Sequence, residues 1–229
     1  MAKVKVGEET LTSKTRASDN ADIKVELKGK GRKIRHIFRD KSNKENECPE
    51  ILLLAKEPEI KLSVYAGVTD ERRATTLIRN CIMAGAAEIS FFAGSKSASK
   101  NKRNMSEYLP LWQAVAHTAA TEFKRSRTPH IKYYNEFTDM LDSAVKKDAA
   151  IFLQERGDNR CSMATAASEM GNISSVAIIS GGEEGFSEAE MKIAEYVGFQ
   201  AVSLGEEIIR NDYAPAIATQ ELLAILSIN

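Results

Sequence analysis

The sequence predicts an α/β protein in which helices cover a parallel sheet, preceded by a small β-rich domain. From Ile60 onward, short apolar runs alternate with amphipathic runs at helical spacing, which is the pattern of repeated βαβ units. Residues 1–56 alternate instead in short charged pieces rich in turn residues. A chain of 229 residues accommodates one small and one medium domain, so we predict domains at 1–57 and 58–229.

The larger domain is expected to contain five strands and five helices. The predicted strands are 61–68, 87–93, 149–155, 174–180 and 199–204. The predicted helices are 70–86, 105–123, 135–147, 187–198 and 213–226. Ser187 and Glu190 form an S-x-x-E capping box, which fixes the start of the fourth helix just after Gly185.

Charge is segregated along a chain whose net charge is zero. Residues 1–56 hold 14 basic and 9 acidic side chains, whereas the remaining 173 residues hold 18 and 23. Within that acidic remainder, positions 95–132 hold eight basic and two acidic residues. Two basic segments on a neutral protein favour a polyanion partner. The alternative is that these are ordinary solvated lysines and arginines.

Composition excludes several classes of protein. No apolar run approaches the roughly 18 residues needed to span a bilayer, and the first residues do not resemble a signal peptide, so a cytoplasmic location without membrane contact is expected. Cys48, Cys81 and Cys161 are too widely spaced for a disulfide framework or a CxxC site, and Cys81 falls on an apolar helix face. The three histidines have no metal-ligand spacing, so no metal is predicted.

Two glycine loops each follow an apolar strand-like run near the C-terminus. They read SGGEEG at 180–185 and LGEEIIR at 204–210. Neither a G-x-G-x-x-G fingerprint nor a P-loop is present. Glu183 and Glu184 would repel a phosphate, so the loops are expected to hold a phosphate-free ligand, largely through backbone groups.

These segments resemble motifs of the RsmE family of SPOUT methyltransferases. ISGGEEGFSEAE resembles the family pattern IGPEGGFSxxE, and GFQAVSLGEEIIR resembles GFxxVSLGxRILRTETA. Upstream, LWQAVAHTAATEFKRSRTPHI resembles RWxxIAxEAxEQSxRxxxP. The resemblance runs from Leu62 to the end of the chain and implies a methyltransferase that modifies N3 of a uridine in 16S ribosomal RNA of the small ribosomal subunit.

The resemblance also implies a fold, a cofactor and an assembly. The fold is a SPOUT domain with a C-terminal deep trefoil knot, an exception to the usual absence of knots, preceded by a shortened PUA-like domain that binds RNA. The cofactor is S-adenosyl-L-methionine, and the family works as a homodimer. The residues implied to bind the cofactor are Leu153, Gln154, Ser180, Gly181, Gly182, Glu183, Gly185, Leu204, Gly205, Ile209, Arg210 and Asn211.

Two arginines match arginines of the motifs and are the predicted catalytic residues, because a guanidinium can stabilise the uridine anion without titrating. For Arg125 the alternative is phosphate binding, and for Arg210 it is a structural ion pair with Asp212 or Glu184. Asp212 is interpreted as a base, as a group that orients the cofactor's sulfonium or as the N-cap of the last helix. Trp112 is expected in the core, and Glu183 is expected to brace its loop.

The basic segments supply the predicted RNA contacts. These residues are Arg32, Arg35, Arg39, Lys100, Lys102, Arg103, Lys124 and Arg127. The sequence departs from the motifs near the chemistry, with Gly182 at the family's proline, Glu184 at a glycine and RNDYA at RTETA. Two alternatives therefore stand beside the enzyme: a SPOUT-fold RNA-binding protein with lost or reduced methyl transfer, and a SPOUT methyltransferase that modifies transfer RNA.

Overall fold

The computed structural model describes two compact units, Met1–Ile51 and Leu52–Asn229. The described residues are the strand backbones at 3–6, 9–12, 22–29 and 32–39, followed by 57–67, 70–94, 105–155 and 160–227. No helix among these residues is long and apolar enough to cross a bilayer.

The N-terminal unit contains two antiparallel strand pairs. β1 (Lys3–Val6) pairs with β2 (Glu9–Thr12), and β3 (Asp22–Gly29) pairs with β4 (Arg32–Arg39). The second pair is a hairpin in which Gly29 lies opposite Arg32, so only two residues connect the strands. Such short connections favour glycine, and the sequence has Gly29 and Gly31 there.

The C-terminal unit is built on a seven-stranded sheet in which every pair of neighbours is parallel. Its strands are β5 (Lys61–Gly67), β6 (Glu88–Phe92), β7 (His130–Tyr134), β8 (Ala149–Leu153), β9 (Cys161–Ser162), β10 (Ser175–Ser180) and β11 (Gln200–Ser203). The order across the sheet is β7-β6-β5-β10-β8-β11-β9. The central strand β10 is buried over five of its six residues, as expected for a parallel strand covered on both faces.

Six α-helices among the described residues cover the sheet. They are α1 (Glu71–Ala84), α2 (Leu109–Glu122), α3 (Phe137–Ala144), α4 (Met163–Glu169), α5 (Glu188–Tyr196) and α6 (Ala214–Leu226). Apolar side chains of α1, α2, α4 and α6 pack in two clusters, and those of α3 and α5 share a third with Tyr65 and Phe152 of the sheet. The predicted α/β fold with a parallel sheet is confirmed.

The ends of α1 follow from its sequence. The Asp70 carboxylate accepts a hydrogen bond from the Arg73 backbone N–H at 3.0 Å, which caps the N-terminus. Gly85 ends the helix with a left-handed φ of 105°, and a Cβ there would lie 2.9 Å from a Leu223 methyl group of α6. Leu77 and Cys81 are buried one turn apart, and burial raises the pKa of the Cys81 thiol.

Two further expectations concern local structure. The capping box at the start of α5 is confirmed: the Ser187 hydroxyl accepts from the Glu190 N–H, and the Glu190 carboxylate accepts from the Ser187 N–H at 2.7 Å. Trp112 is in the core as predicted, fully buried with its ring centroid 4.5 Å from that of Phe91. Strand β7, the two-residue strand β9 and helix α4 were not predicted.

Candidate functional site

A cavity of about 560 Å³ opens where β10, β8 and β11 end. These strands are neighbours in the sheet and all run in one direction, so the loops that follow them meet at the same edge. Open α/β sheets bind ligands at this edge. The volume lies within the roughly 300 to 1,000 Å³ of typical small-molecule sites.

The structure brings together every residue implied to bind the cofactor. The cavity lining includes Leu153, Gln154, Ser180, Gly181, Gly182, Glu183, Gly185, Leu204, Gly205, Ile209, Arg210 and Asn211. Further lining residues that the sequence did not single out include Arg73, Glu155, Glu207 and Met191. The Gln154 N–H donates to the Val202 carbonyl at 2.9 Å, which joins the β8 loop to β11.

Glycine is required in the first loop by close contacts between backbone segments. The Gly185 N–H donates to the Gly182 carbonyl at 3.0 Å, closing a tight turn with a left-handed φ of 65° at Gly185. A Cβ on Gly181 would lie 2.9 Å from Gly185 backbone atoms. At the end of β5, a Cβ on Gly67 would lie 2.4 Å from the Gly182 nitrogen. Sequence reasoning missed Gly67 because a single glycine at a strand end has no motif around it.

The second loop turns at Gly205, whose φ is 120°. This conformation is strained for any residue with a side chain. The Ser203 hydroxyl donates a hydrogen bond to the Gly205 carbonyl at 2.9 Å. It accepts hydrogen bonds from the Gly205 N–H and from Nη1 of Arg160, each at 3.3 Å. A Cβ on Gly205 would meet no described atom within 4 Å, so substitution there adds volume without a steric clash inside the protein.

Arg210 lies at the cavity, fixed by a buried carboxylate. Its Nε and Nη2 atoms donate to the two carboxylate oxygens of Asp212 at 3.1 and 2.7 Å. The Asp212 side chain is 1% exposed and that of Arg210 is 65% exposed. The guanidinium carbon also lies 5.4 Å from the centre of the Tyr213 ring. A fork of donors held in this way presents one fixed positive charge beside the cavity.

Asp212 does not cap the last helix, and that interpretation is wrong. The N-cap of α6 is Tyr213, which makes no capping hydrogen bond with its side chain. Both oxygens of the Asp212 carboxylate instead accept from Arg210. The backbone carbonyl of Asp212 accepts a 3.4 Å hydrogen bond from the Asn80 side chain of α1. The structure thus contains the ion pair with Asp212 that was the alternative to a catalytic role for Arg210. The interpretations of Asp212 as a base or as a group that orients the cofactor's sulfonium stay predictions.

Asn211 carries a donor that the protein leaves unused. Its Nδ2 atom is buried and has no hydrogen-bond partner among the described residues, and the residue lines the cavity. Buried polar groups in proteins are almost always hydrogen-bonded. An unpaired donor in a residue that lines a cavity is therefore a candidate contact for a ligand.

Glu183 pairs with Arg73 of α1, so the glycine loop is tied to the helix that follows β5. Arg73 also lies 3.5 Å from the Asp70 carboxylate through its Nε atom. Sequence reasoning did not find Arg73, because it lies 110 positions before its partner and in no matched motif. Among the described residues, the ionisable ones that line the cavity are two arginines, Arg73 and Arg210, and four glutamates, at positions 155, 183, 184 and 207.

The structure does not bring Arg125 to the cavity. Its side chain is 6% exposed, and its Nε and Nη2 atoms donate to Glu57 at 2.5 to 3.1 Å. Its Nη1 and Nη2 atoms also donate to the Ile82 and Ala86 carbonyls at 2.7 and 3.1 Å. Burial alone raises the pKa of Glu57, but hydrogen bonds from Arg125 and Ser126 and the charge of Arg125 outweigh it and lower the pKa below its ordinary value.

The predicted RNA-binding residues fall into three groups. Lys124 and Arg127 are exposed beside the C-terminal end of α2, and Lys124 adopts a left-handed φ of 55°. Arg32, Arg35 and Arg39 lie on β4, and their side chains are outside the described residues. Lys100, Lys102 and Arg103 also lie outside the described residues.

Comparison with known proteins identifies the family. The family model for an RNA methyltransferase domain matches residues 56–223. Ribosomal RNA small subunit methyltransferase E of Mesomycoplasma hyopneumoniae is 25% identical over 158 residues, which cover 69% of this chain and 67% of that protein. The enzyme of the same name from Synechocystis is 24% identical over 150 residues, 66% of this chain. The match spans about half of the Synechocystis protein, 48% of its length.

Solved structures share the fold. A ribosomal RNA small subunit methyltransferase E from Neisseria gonorrhoeae, bound to S-adenosylmethionine, superposes with a TM-score of 0.63 at 18% identity, covering 90% of this chain and 77% of the other. A Legionella pneumophila protein with bound S-adenosylmethionine has a TM-score of 0.67 at 18% identity, covering 90% and 79%. The resemblance stated from the motifs is confirmed by the family model and the curated relatives. The chain belongs to the RNA methyltransferase domain family.

Proposed function

We propose that this protein is a methyltransferase that uses S-adenosyl-L-methionine to methylate N3 of a uridine in 16S ribosomal RNA. The observation that carries the proposal is the cavity at the ends of β8, β10 and β11, because its three loops hold all the residues implied to bind the cofactor. The curated relatives that match most of the methyltransferase domain are small-subunit ribosomal RNA methyltransferases by name. A ribosomal substrate implies a cytoplasmic location.

The residues present fit this cofactor. The unused Asn211 amide supplies a buried donor for an acceptor atom of the ligand. The described part of the lining has four glutamates and two arginines, which favours a ligand with positive charge over a phosphate-bearing nucleotide. When bound, S-adenosylmethionine supplies an electrophilic methyl group on a sulfonium centre. Backbone groups of Leu153, Gly181 and Gly205, which line the cavity, would hold it.

Arg210 is the residue that stabilises the reacting base. Methyl transfer to N3 requires the imide proton of uridine to leave, which places negative charge on the ring and its carbonyl oxygens. A guanidinium fixed beside the cavity lowers the free energy of that anion and does not itself titrate. Asp212 holds the guanidinium in place through two hydrogen bonds, so little reorganisation is needed when the charge develops.

The RNA is held by the basic segments. Exposed Lys124 and Arg127 lie on the C-terminal unit, and the N-terminal unit, with its basic strand β4, serves as a PUA-like RNA-binding module. Affinity for ribosomal RNA should therefore fall steeply as salt is raised, and charge reversal at Lys100, Lys102 and Arg103 should flatten that dependence. An affinity that does not depend on salt contradicts this assignment.

The finer features of fold and assembly belong to the same proposal. The last helix α6 packs against α1 and α4, an arrangement consistent with a C-terminal trefoil knot. Three large apolar side chains beside the cavity and on α6 are exposed: Ile208 by 75%, Tyr213 by 43% and Ile217 by 42%. Exposed apolar groups in one short segment of the chain favour an interface with a second copy of the chain. Sedimentation analysis of the wild type and of Ile217→Asp tests the homodimer.

A direct test of the cofactor is calorimetry with S-adenosylmethionine, its demethylated product and ATP. Binding of the first two and no binding of ATP is expected, and Gly205→Val should abolish binding by filling the approach to the cofactor. Thermal unfolding of the same variant shows whether the fold survives. Absence of heat from the wild type with both adenosyl ligands overturns the cofactor assignment.

One observation favours a second candidate, an RNA-binding protein that no longer transfers methyl groups. Aligning LGEEIIRNDYA with the motif LGxRILRTETA places Glu207 at a motif arginine and Tyr213 at a threonine. The discriminating experiment is methyl transfer to small subunits from cells that lack this modification. Transfer to a single uridine supports the enzyme, whereas RNA binding without transfer supports the second candidate.

A further inference from the structure

Two contacts join the β5–α1 junction to the first glycine loop. The backbone of Gly67, the last residue of β5, packs so closely on Gly182 that no side chain fits between them. Six residues later, the Arg73 guanidinium pairs with the Glu183 carboxylate in the next position of the loop. The loop is therefore contacted at consecutive residues by a strand end and by a helix start.

Arg73 is itself held in place at the start of α1. Its backbone N–H donates to the Asp70 carboxylate, and its Nε atom lies 3.5 Å from the other oxygen of the same group. The side chain is 37% exposed and lines the cavity. An arginine fixed between a helix cap and a loop links the loop to a rigid element of the fold.

We propose that Arg73 is a positioning residue, which acts through Glu183 to hold the glycine loop in the shape that binds the cofactor. The inference rests on the function proposed above. The loop segment SGGEEG contains three glycines, which have the largest conformational freedom to lose on ordering. The Gly185 to Gly182 hydrogen bond closes the turn, and the pair of Glu183 with Arg73 fixes where that turn lies.

The sign of the effect on affinity separates positioning from simple electrostatics. S-adenosylmethionine is a cation, and neutralising Arg73 removes a positive charge from the cavity. If charge alone mattered, Arg73→Gln would bind the cofactor more tightly. If Arg73 positions the loop, the same variant binds more weakly, because binding must then order the loop.

The chain offers a matched control on the same helix. Arg79 of α1 pairs with Glu122 of α2 at 2.8 Å, with exposed fractions of 39% and 49%. The corresponding values for Arg73 and Glu183 are 37% and 50%. Arg79 and Glu122 do not line the described cavity. Arg79→Gln therefore removes an equally exposed ion pair without touching the loop.

The first measurement is backbone amide exchange of the full chain without ligand. Arg73→Gln should speed exchange of the amides at 181–186, above all at Gly185, and Arg79→Gln should leave them unchanged. Arg73→Lys, which keeps the charge, should restore most of the protection. Equal exchange in the wild type and Arg73→Gln overturns the proposal, whether or not the protein binds a cofactor.

The second measurement is affinity for S-adenosylmethionine in a double-mutant cycle. Arg73→Gln and Glu183→Gln should each weaken binding by roughly two- to fivefold, the scale of an exposed ion pair. The double variant should match Glu183→Gln, because Arg73→Gln has no interaction left to remove once Glu183 is neutral. Multiplied effects in the double variant, or tighter binding by Arg73→Gln, overturn the proposal. A wild type that fails to bind while its exchange result holds contradicts the proposed cofactor and leaves the positioning contact standing.

Discussion

Arg125 and Arg210 are each paired with a carboxylate, but the two pairs lie in opposite surroundings. The Arg125 side chain is 6% exposed, and its partner Glu57 is 23% exposed. The Arg210 side chain is 65% exposed, whereas its partner Asp212 is 1% exposed. In the first pair the guanidinium is inside the protein, and in the second the carboxylate is.

The two arginines also differ in the N–H donors that they leave free for a ligand. A guanidinium has five N–H donors, and Arg125 uses four of them on Glu57 and on two backbone carbonyls. Arg210 directs two donors to Asp212, and its Nη1 group makes no hydrogen bond to the described residues. The motifs match both arginines equally well. Burial and hydrogen-bond partners favour a structural role for Arg125 and leave a donor group of Arg210 free for a ligand.

The largest expected effect is on stability, at Arg125. Arg125→Met leaves the Glu57 carboxylate without its main partner and two carbonyls without donors, so the free energy of unfolding should fall by about 3 kcal/mol. Chemical denaturation measures this loss. The control is Arg79→Met, whose exposed pair with Glu122 should cost less than about 1 kcal/mol. Equal losses of unfolding free energy in Arg125→Met and Arg79→Met would show that burial of the Arg125 pair does not add to stability.

Much of the fold around these arginines was readable from the sequence. The capping box of α5 is a local signal, in which residues three apart contact each other. Strand β7 (HIKYY) lies at the edge of the sheet and has one buried residue. It therefore lacks the apolar run that identified the central strands, and it was missed. Helix α4 was missed because seven residues are too few to establish a helical period.

The sequence predicted the parts of the candidate site that are formed by the glycine loops. It did not predict the ion pairs between side chains far apart in the sequence. The two glycine loops follow strands in the sequence, so their convergence at one sheet edge was expected. The partner of Arg125 lies 68 positions away and that of Arg73 lies 110 positions away. No periodicity links such positions, so these pairings required the structure.

The next effect is on catalysis, at Arg210. Arg210→Lys keeps the charge but not the fork of donors, so methyl transfer should fall by about 100-fold, close to 2.7 kcal/mol in activation free energy. The fold and most cofactor affinity should be kept, because lysine retains a positive charge beside the buried Asp212 carboxylate. Single-turnover transfer to hypomethylated small subunits gives the rate. Lost cofactor binding with a normal rate per bound cofactor would instead make Arg210 part of the binding pocket.

A smaller effect is the pH dependence of the Arg125 pair. The pKa of Glu57 in the folded protein is below its ordinary value, so its contribution to stability is present above the unfolded pKa of about 4.3 and is lost as pH falls through the folded pKa. Glu57→Gln cannot ionise. The gap in unfolding free energy between wild type and Glu57→Gln should therefore be full at pH 7 and narrow steadily below pH 4. A gap that is constant with pH argues against an ionised Glu57.

The smallest expected effect is on RNA binding, and it tests whether Arg125 contacts RNA as its neighbours Lys124 and Arg127 are predicted to do. Lys124 and Arg127 are exposed on either side of it and are predicted to contact RNA phosphates. Replacing both by glutamine should weaken RNA binding only several-fold and lower the slope of log affinity against log salt by roughly 0.7 to 0.9 for each side chain. Arg125→Met, measured where it is still folded, should leave the slope unchanged because its guanidinium is buried against Glu57. A reduced slope in Arg125→Met would mean that this arginine reaches the RNA, and the phosphate-binding alternative would replace the structural role.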